Sequence, residues 1–523
     1  MTLSVALAIS FLTLLLVFLR KRTKQQLPTY RDLPLPPGPR PLPFLGNVFD
    51  IPKDTEYLWR TYAKWAQTHG DIVHIQVLGK HIIVLHSLDA VHDLLDKRSS
   101  IYADREITEV IALTGWDWNL AMMKYGQQWR DHRQLFHQYM NERVIHTYDP
   151  YIRDGTRRLL KGLHCDPKNY THHLRYALGE IVLSLIYGIR IEENNDYYVE
   201  LLAAAMKAVE EAVLPGSLWV DFLPYLKYVP HWVPGTGWQK KVENWRAESN
   251  AIRNAPWENM VVSCTKDRTS PPIAAQMSEQ ISDMDDDGAR EMKHTAQNVC
   301  AVMHAGRTTL APTTISTLQT FILAMVLHPE AQRSAQRELD TVVGRRRLPN
   351  SSDLSALPYT RALLKECMRW QPVAPLSFAR RCTTDNEYRG CLIPEGALIF
   401  QNSWFILHDP GIFPEPEGFK PERYLKDGVL NPDILDPTVV TFGAGRRICP
   451  GRHLAESMLF LTIARILHTF EITPVLDAKG TPINPEVKMT SGLLSYPTPF
   501  ECSISSRGAW AEALINEEYT RET

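Results

Sequence analysis

The sequence predicts a mainly α-helical fold with a small β region, preceded by one transmembrane helix. Three observations carry this. Apolar residues recur with a 3.6-residue period through most of residues 90–370. Short β-like runs stand outside that stretch: Ile72–Leu78 and His81–Leu85 before it, and others around Ile393–Phe400 and near Leu493 after it. The chain opens on Thr2–Leu19, which holds no charged side chain, and Arg20, Lys21, Arg22 and Lys24 follow at once.

As a helix the opening stretch spans about 27 Å, close to the roughly 30 Å of a hydrocarbon core. Its basic residues follow the apolar run instead of preceding it. That predicts a retained anchor with the rest of the chain in the cytosol, not a cleaved signal peptide. Residues 1–26 are therefore assigned to the anchor and its basic stop. Residues 27–41, with Leu33-Pro34-Leu35-Pro36-Pro37-Gly38-Pro39, form a stiff extended hinge, because proline fixes φ and removes donors. The body is expected over 42–505, with Gly79-Lys80 turning its first hairpin. A polar, acidic tail over 506–523 is expected to fray.

Composition excludes several classes. Of 523 residues, 44% are apolar and 22% charged, which suits a folded globular chain. Basic and acidic side chains number 57 and 59, so the charge of -2 offers no footprint for nucleic acid. Eight cysteines show no paired spacing and no C-x-x-C. That argues against a disulfide scaffold or zinc ribbon and fits a reducing compartment. Asp283–Gly288 begins like a calcium loop, but the twelfth position is His294 where a glutamate is required, so a solvated loop is expected.

The most informative stretch is Phe442-Gly443-Ala444-Gly445-Arg446-Arg447-Ile448-Cys449-Pro450-Gly451. Its glycines allow a tight turn and close backbone approach. Pro450 and the apolar-periodic run from Leu454 put Cys449 at a helix N-terminus beside two arginines, a setting expected to lower a thiol pKa. A thiolate in such a loop is a metal ligand or a nucleophile. Alone, with no Cys or His at ligand spacing, it cannot hold zinc, but it can be the single axial ligand of a heme iron.

The stretch resembles the heme-binding loop of the cytochrome P-450 family, F-x-x-G-x-R-x-C-x-G, at Phe442, Gly445, Arg447, Cys449 and Gly451. Glu366-Cys367-Met368-Arg369 is similar to the family's E-x-x-R, and Pro421-Glu422-Arg423-Tyr424 to its P-E-R-F segment, in the family's order. Trp129-Arg130-Asp131-His132-Arg133 contains W-x-x-x-R. The resemblance runs from the anchor to Ser495. It implies the cytochrome P-450 fold and heme b held by Cys449. Glu366, Arg369 and Arg423 would form a buried triad supporting the loop. Trp129, Arg133, Arg381 and Arg447 would meet the heme propionates. The chain has no flavin or nicotinamide fingerprint, since Gly443–Ile448 lacks the third glycine. The resemblance therefore implies an NADPH-cytochrome P-450 reductase as electron donor on the same endoplasmic reticulum membrane, with membrane lipid around the anchor.

The oxygen-binding helix departs from the family's A-G-x-[D/E]-T-[T/S]. With Ala305-Gly306 as the frame, Thr308 replaces the acid and Thr309 is the threonine. With the spacing to His328-Pro329 as the frame, Pro312 replaces the acid and Thr313 is the threonine. The second frame runs to Pro329 without a gap and is preferred; Pro312 is then expected to kink the helix. With no acid, water, Thr313 or a substrate hydroxyl would relay protons. The missing acid leaves open an oxygen-independent isomerase or dehydratase, a non-enzymatic membrane heme protein, or a gene-model error over residues 299–316. The pattern looks most like fungal monooxygenases of secondary metabolism, the group around O-methylsterigmatocystin oxidoreductase and a tryptamine hydroxylase. By family comparison, the pocket draws on Ile101–Tyr125, Met303–Thr309, Val373–Phe378 and Leu493–Leu494. Trp116, Trp118, Phe378 and Leu494 there suggest a small apolar or aromatic substrate.

Overall fold

The structure is a computed structural model. It describes residues 30, 32–52, 57–191, 196–201, 203–205, 218–221, 223–230, 232–263 and 271–520, without the side chains of 219, 306–312 and 518–520. The expected anchor over 1–26 lies outside the described residues. Among the described residues no helix is long and apolar enough to cross a membrane.

Helix α1 (Leu58–His69) leads into strands β1 (Ile72–Val77) and β2 (Lys80–Leu85). They pair antiparallel, from Ile72 opposite Leu85 to Val77 opposite Lys80. Leu78 and Gly79 turn the hairpin, both at positive φ (48° and 82°), as a two-residue loop of matching twist requires. The turn thus sits one residue earlier than Gly79-Lys80.

Helices α2 (Gln127–Met140), α3 (Asp149–Cys165), α4 (Tyr170–Tyr187) and α5 (Gly237–Ser263) precede α6 (Asp286–Leu327). The last is 42 residues long and helical throughout, Pro312 included. Its N-terminus explains the acidic cluster. The Asp285 carboxylate accepts the Gly288 amide at 2.9 Å, and Asp286 and Asp287 sit in the first turn, where the helix dipole favours negative charge. The cluster is a helix cap, and no metal-ligand cluster occurs among the described residues.

Helix α7 (Pro329–Val342) and helix α8 (Pro358–Trp370) are followed by β3 (Arg380–Arg381) and β4 (Leu398–Gln401). Strand β4 pairs parallel to β2 and antiparallel to β3, giving the sheet order β1-β2-β4-β3. Helix α9 (Arg452–Thr469) runs into β5 (Phe470–Thr473), which pairs with β6 (Ser503–Ser506). Near Leu493 there is no strand, only an isolated bridge from Met489 to Pro497. The main core lies among α2, α3, α4, α6 and α9; α9 is buried on nearly every face from Met458 to Thr469.

Two segments differ from expectation. The Pro-rich stretch is docked on the sheet instead of standing free. The His74 amide donates to Pro37 O (2.9 Å) and the Leu392 amide to Pro34 O (2.8 Å). A Cβ on Gly38 would lie 1.8 Å from His74 O, so only glycine allows this approach. The acidic tail forms helix α10 (Ala509–Thr520), which buries Ala511, Leu514 and Ile515. Trp510 lies against the guanidinium groups of Arg345 and Arg507 at 5.2 and 5.5 Å. Its apolar positions are four or fewer residues apart, enough to make one buried stripe despite the polar composition.

Candidate functional site

The cysteine loop sits between a helical turn over Thr438–Thr441 and the start of α9. Gly443 and Gly445 take positive φ (75° and 51°). At Gly445 the backbone presses against a π-helical turn, His92–Lys97, and an added Cβ would lie 2.1 Å from Leu95 O. The Cys449 amide donates to Phe442 O at 2.8 Å and closes the loop. Helix α9 begins at Arg452, so Cys449 lies just outside the helix.

The thiol behaves differently from the sequence expectation. Burial raises the Cys449 pKa, against the pull of the Gly451 amide, Arg133 and Arg452. The two adjacent arginines are engaged elsewhere. Arg446 donates to Tyr125 OH at 2.5 Å. Arg447 donates to the carbonyls of Ala103, Leu120 and Met123 (2.7, 3.1 and 2.7 Å) and lies over the Trp129 ring at 4.7 Å. A thiol in this position becomes a stable thiolate only when a cation faces it.

Above Cys449 opens a cavity of about 220 Å³. One side carries Arg105, Arg133, Arg380 and Arg447 together with Trp129. Arg105 donates to Ala121 O (3.1 Å), Phe378 O (2.7 Å) and Ala379 O. Arg380 donates to Ala444 O (2.7 Å) and Leu95 O (3.3 Å). Carbonyls satisfy these donors without neutralising the charge. Burial holds all four guanidinium groups below their usual range, Arg447 to about 8 and Arg380 to about 9. At Arg447 the neighbouring Arg105 and Arg380 add repulsion. The Trp129 Nε1 donor is buried with no partner. Four cations and an orphaned donor around one cavity fit a group bearing two carboxylates, with its metal over the thiol. The donor set therefore fits heme.

Arg381 does not join them. Its side chain is 35% exposed and pairs with Asp104 at 3.4 Å, away from the cavity. Successive residues of a strand face opposite sides, and on β3 it is Arg380 that faces in. Gly445 shapes the loop without lining the cavity, whereas Phe442 and Gly451 do line it. Arg105 and Arg380 were not among the residues expected to meet the heme propionates; Arg380 stands where the family pattern has a histidine before Arg381. Arg105 belongs to no spaced motif; its hints are the charged run Asp104-Arg105-Glu106 and its place in the expected pocket stretch Ile101–Tyr125.

The cavity is also lined by Val302, Thr313, Thr314 and Thr317 of α6, with Pro372–Ala374, Ser377 and Phe378. Thr313 Oγ1 is buried and has no hydrogen-bond partner. The Thr309 side chain lies outside the described residues. Of Trp116, Trp118, Phe378 and Leu494, Phe378 alone lines the cavity, beside Leu120, Ala121, Val373 and Ala374 from the expected stretches. Trp116 and Trp118 stack on each other in the core (5.3 Å between centroids), Trp118 donating to Ser249 Oγ at 3.1 Å, and Leu494 is buried elsewhere.

On α8, Glu366 is fully buried. Arg369 grips it through two bonds (2.8 and 2.9 Å), Arg423 approaches at 3.2 Å, and the Lys420 amide adds a fourth bond at 2.7 Å. Arg369 also donates to the carbonyls of Leu407, Pro416 and Gly418. Charge buried this deeply persists only when every donor and acceptor is met, as here.

The family model described as Cytochrome P450 matches residues 36–503. Curated relatives include cytochrome P450 monooxygenase COX1 of Coprinopsis cinerea, 38% identical over 93% of this chain and 94% of its own length. Cytochrome P450 monooxygenase 208 of Postia placenta is 38% identical over 94% of each chain. Tryptamine 4-monooxygenase of Psilocybe cyanescens is 38% identical over 90% of this chain and 93% of its own.

Proposed function

Because this chain belongs to the cytochrome P450 family, we propose that Cys449 is the axial ligand of its heme and that the enzyme oxygenates a small apolar or aromatic molecule of fungal secondary metabolism. The enzyme is a monooxygenase, and its cofactor is heme with a cysteine thiolate on iron. The observation that carries the site assignment is the half-buried Cys449 thiol in the wall of a cavity that four arginines also line. When bound, heme supplies dioxygen activation, with the thiolate favouring O–O cleavage.

The chain's own residues divide the remaining work. Arg133, Arg380, Arg447 and the Trp129 Nε1 donor hold the heme carboxylates, with Arg105 as a further cation. Arg380 takes the place first given to Arg381. Phe442 and Gly451 shape the cavity on the cysteine side. Thr313 Oγ1 holds a proton at the cavity wall, the role the absent acid leaves to a hydroxyl. The apolar wall of Val302, Val373 and Phe378 excludes water and favours an apolar ligand. Electrons come from an NADPH-cytochrome P-450 reductase on the same endoplasmic reticulum membrane, to which residues 1–26 hold this chain with its body in the cytosol. The oxygenase reading is favoured over an isomerase, because the relatives that match most of the chain are named monooxygenases.

The test is a reduced, carbon-monoxide difference spectrum of membranes expressing the full chain. A thiolate-type Soret band that disappears in Cys449→Ala is expected. A band of unchanged position in that variant would overturn the ligand assignment. With reductase, a product carrying one labelled oxygen atom should form only when NADPH and labelled dioxygen are both present. Product formed without either would establish the isomerase instead.

A further inference from the structure

A second, smaller void lies behind the cavity wall, enclosed by α2, α4, α6 and the first turns of α9. Its volume is about 30 Å³. Met140, Leu178, Val182, Ile186, Met303 and Met458 line it, each at most 6% exposed. Among the described residues Thr314 carries the only side-chain hydroxyl in its wall. A stable buried water needs two to four polar partners, and the described lining offers one hydroxyl. Packed interiors hold few such voids. Phe136, Thr314, Gly451 and Ala455 line both spaces. The partition is thus thin, and all of it but Phe136 is small residues.

We propose that this void is a docking site for dioxygen on its way to the heme cavity. The size admits one small molecule, the apolar wall rejects water, and three methionine side chains offer polarisable contact to an apolar diatomic. The inference rests on the monooxygenase reading, since that reaction consumes dioxygen. It assigns a storage role to α4, which the main cavity does not touch. Met303, expected in the substrate pocket, serves this void instead.

The test uses the heme-loaded enzyme under xenon pressure, because xenon occupies dry apolar voids. Wild type should show one xenon among Met140, Val182, Ile186 and Met458. Val182→Ile, which adds one methylene to the void, should lose that site. In the same variant, carbon-monoxide association after flash photolysis should slow severalfold while the thiolate-type Soret band is retained. Absence of xenon from the wild-type void would overturn the proposal. So would xenon binding with an unchanged association rate in Val182→Ile, since the void would then be a packing defect off the ligand's route. Loss of the thiolate-type band already in wild type would instead overturn the heme reading, and this inference with it.

Discussion

At the scale of single residues, two adjacent arginines separate what a motif can say from what a strand decides. Arg380 and Arg381 are chemically identical, and the family pattern was matched to Arg381. The two-residue period of β3 turns Arg380 into the cavity and Arg381 toward Asp104. Arg380→Ala should therefore lower the heme-to-protein ratio of the purified enzyme and raise heme loss on dilution. Arg381→Ala should leave the ratio unchanged, and removing its half-exposed ion pair should change stability by about 0–1 kcal/mol. Equal heme loss in the two variants would show that both meet the heme. Cys449 stood out in the sequence because four other fixed motif positions surround it. Its titration was not, because burial outweighs helix position and nearby cations, and burial is not written in the motif.

At the scale of elements, the cysteine loop, the π-helical turn and β3 lock together at one point. Leu95 O accepts from Arg380 and also meets the Gly445 backbone. Gly445→Ala would bring a Cβ to 2.1 Å from that carbonyl and hold alanine at φ 51°, a conformation that alone costs about 1–2 kcal/mol in an L-residue. The loop must then lift from the turn, taking Arg380 with it. The expected outcome is a folded protein with near-native far-UV circular dichroism and little heme absorbance. Full heme content in that variant would show that the loop has slack. Helix α6 is the element where sequence reasoning left two frames open. The structure places Thr313 on the cavity wall and keeps the helix continuous through Pro312. The proline does not break it: α6 packs against α4, α2 and α9, and those contacts hold the helix together across one missing N–H.

At the scale of the whole molecule, several histidines are buried in separate parts of the fold, among them His86, His408 and His468. Burial pushes His86 and His468 down to about 4 and His408 to about 3, with Arg369 adding to the effect at His408 and Arg507 at His468. Unfolded histidine titrates near 6.5. Below that pH the unfolded chain takes up protons that the fold refuses, so stability is complete above about pH 6.5 and lost as pH falls toward the folded values. By about pH 5 each histidine should have removed about 2 kcal/mol, read as a falling urea midpoint between pH 7 and pH 5. A midpoint unchanged over that range would show that these rings are solvated. What the sequence determined by itself was the class and the chemistry. Helical period, hairpin runs, the cysteine loop and the Glu366–Arg369 spacing are local patterns, and local patterns survive in one dimension. What only the tertiary structure decided was which charges face the cavity, that the Pro-rich stretch and the acidic tail are docked, and that a small apolar void lies beside the heme cavity. Those depend on contacts between residues hundreds of positions apart, and composition and spacing do not record which side of a strand or helix meets which neighbour.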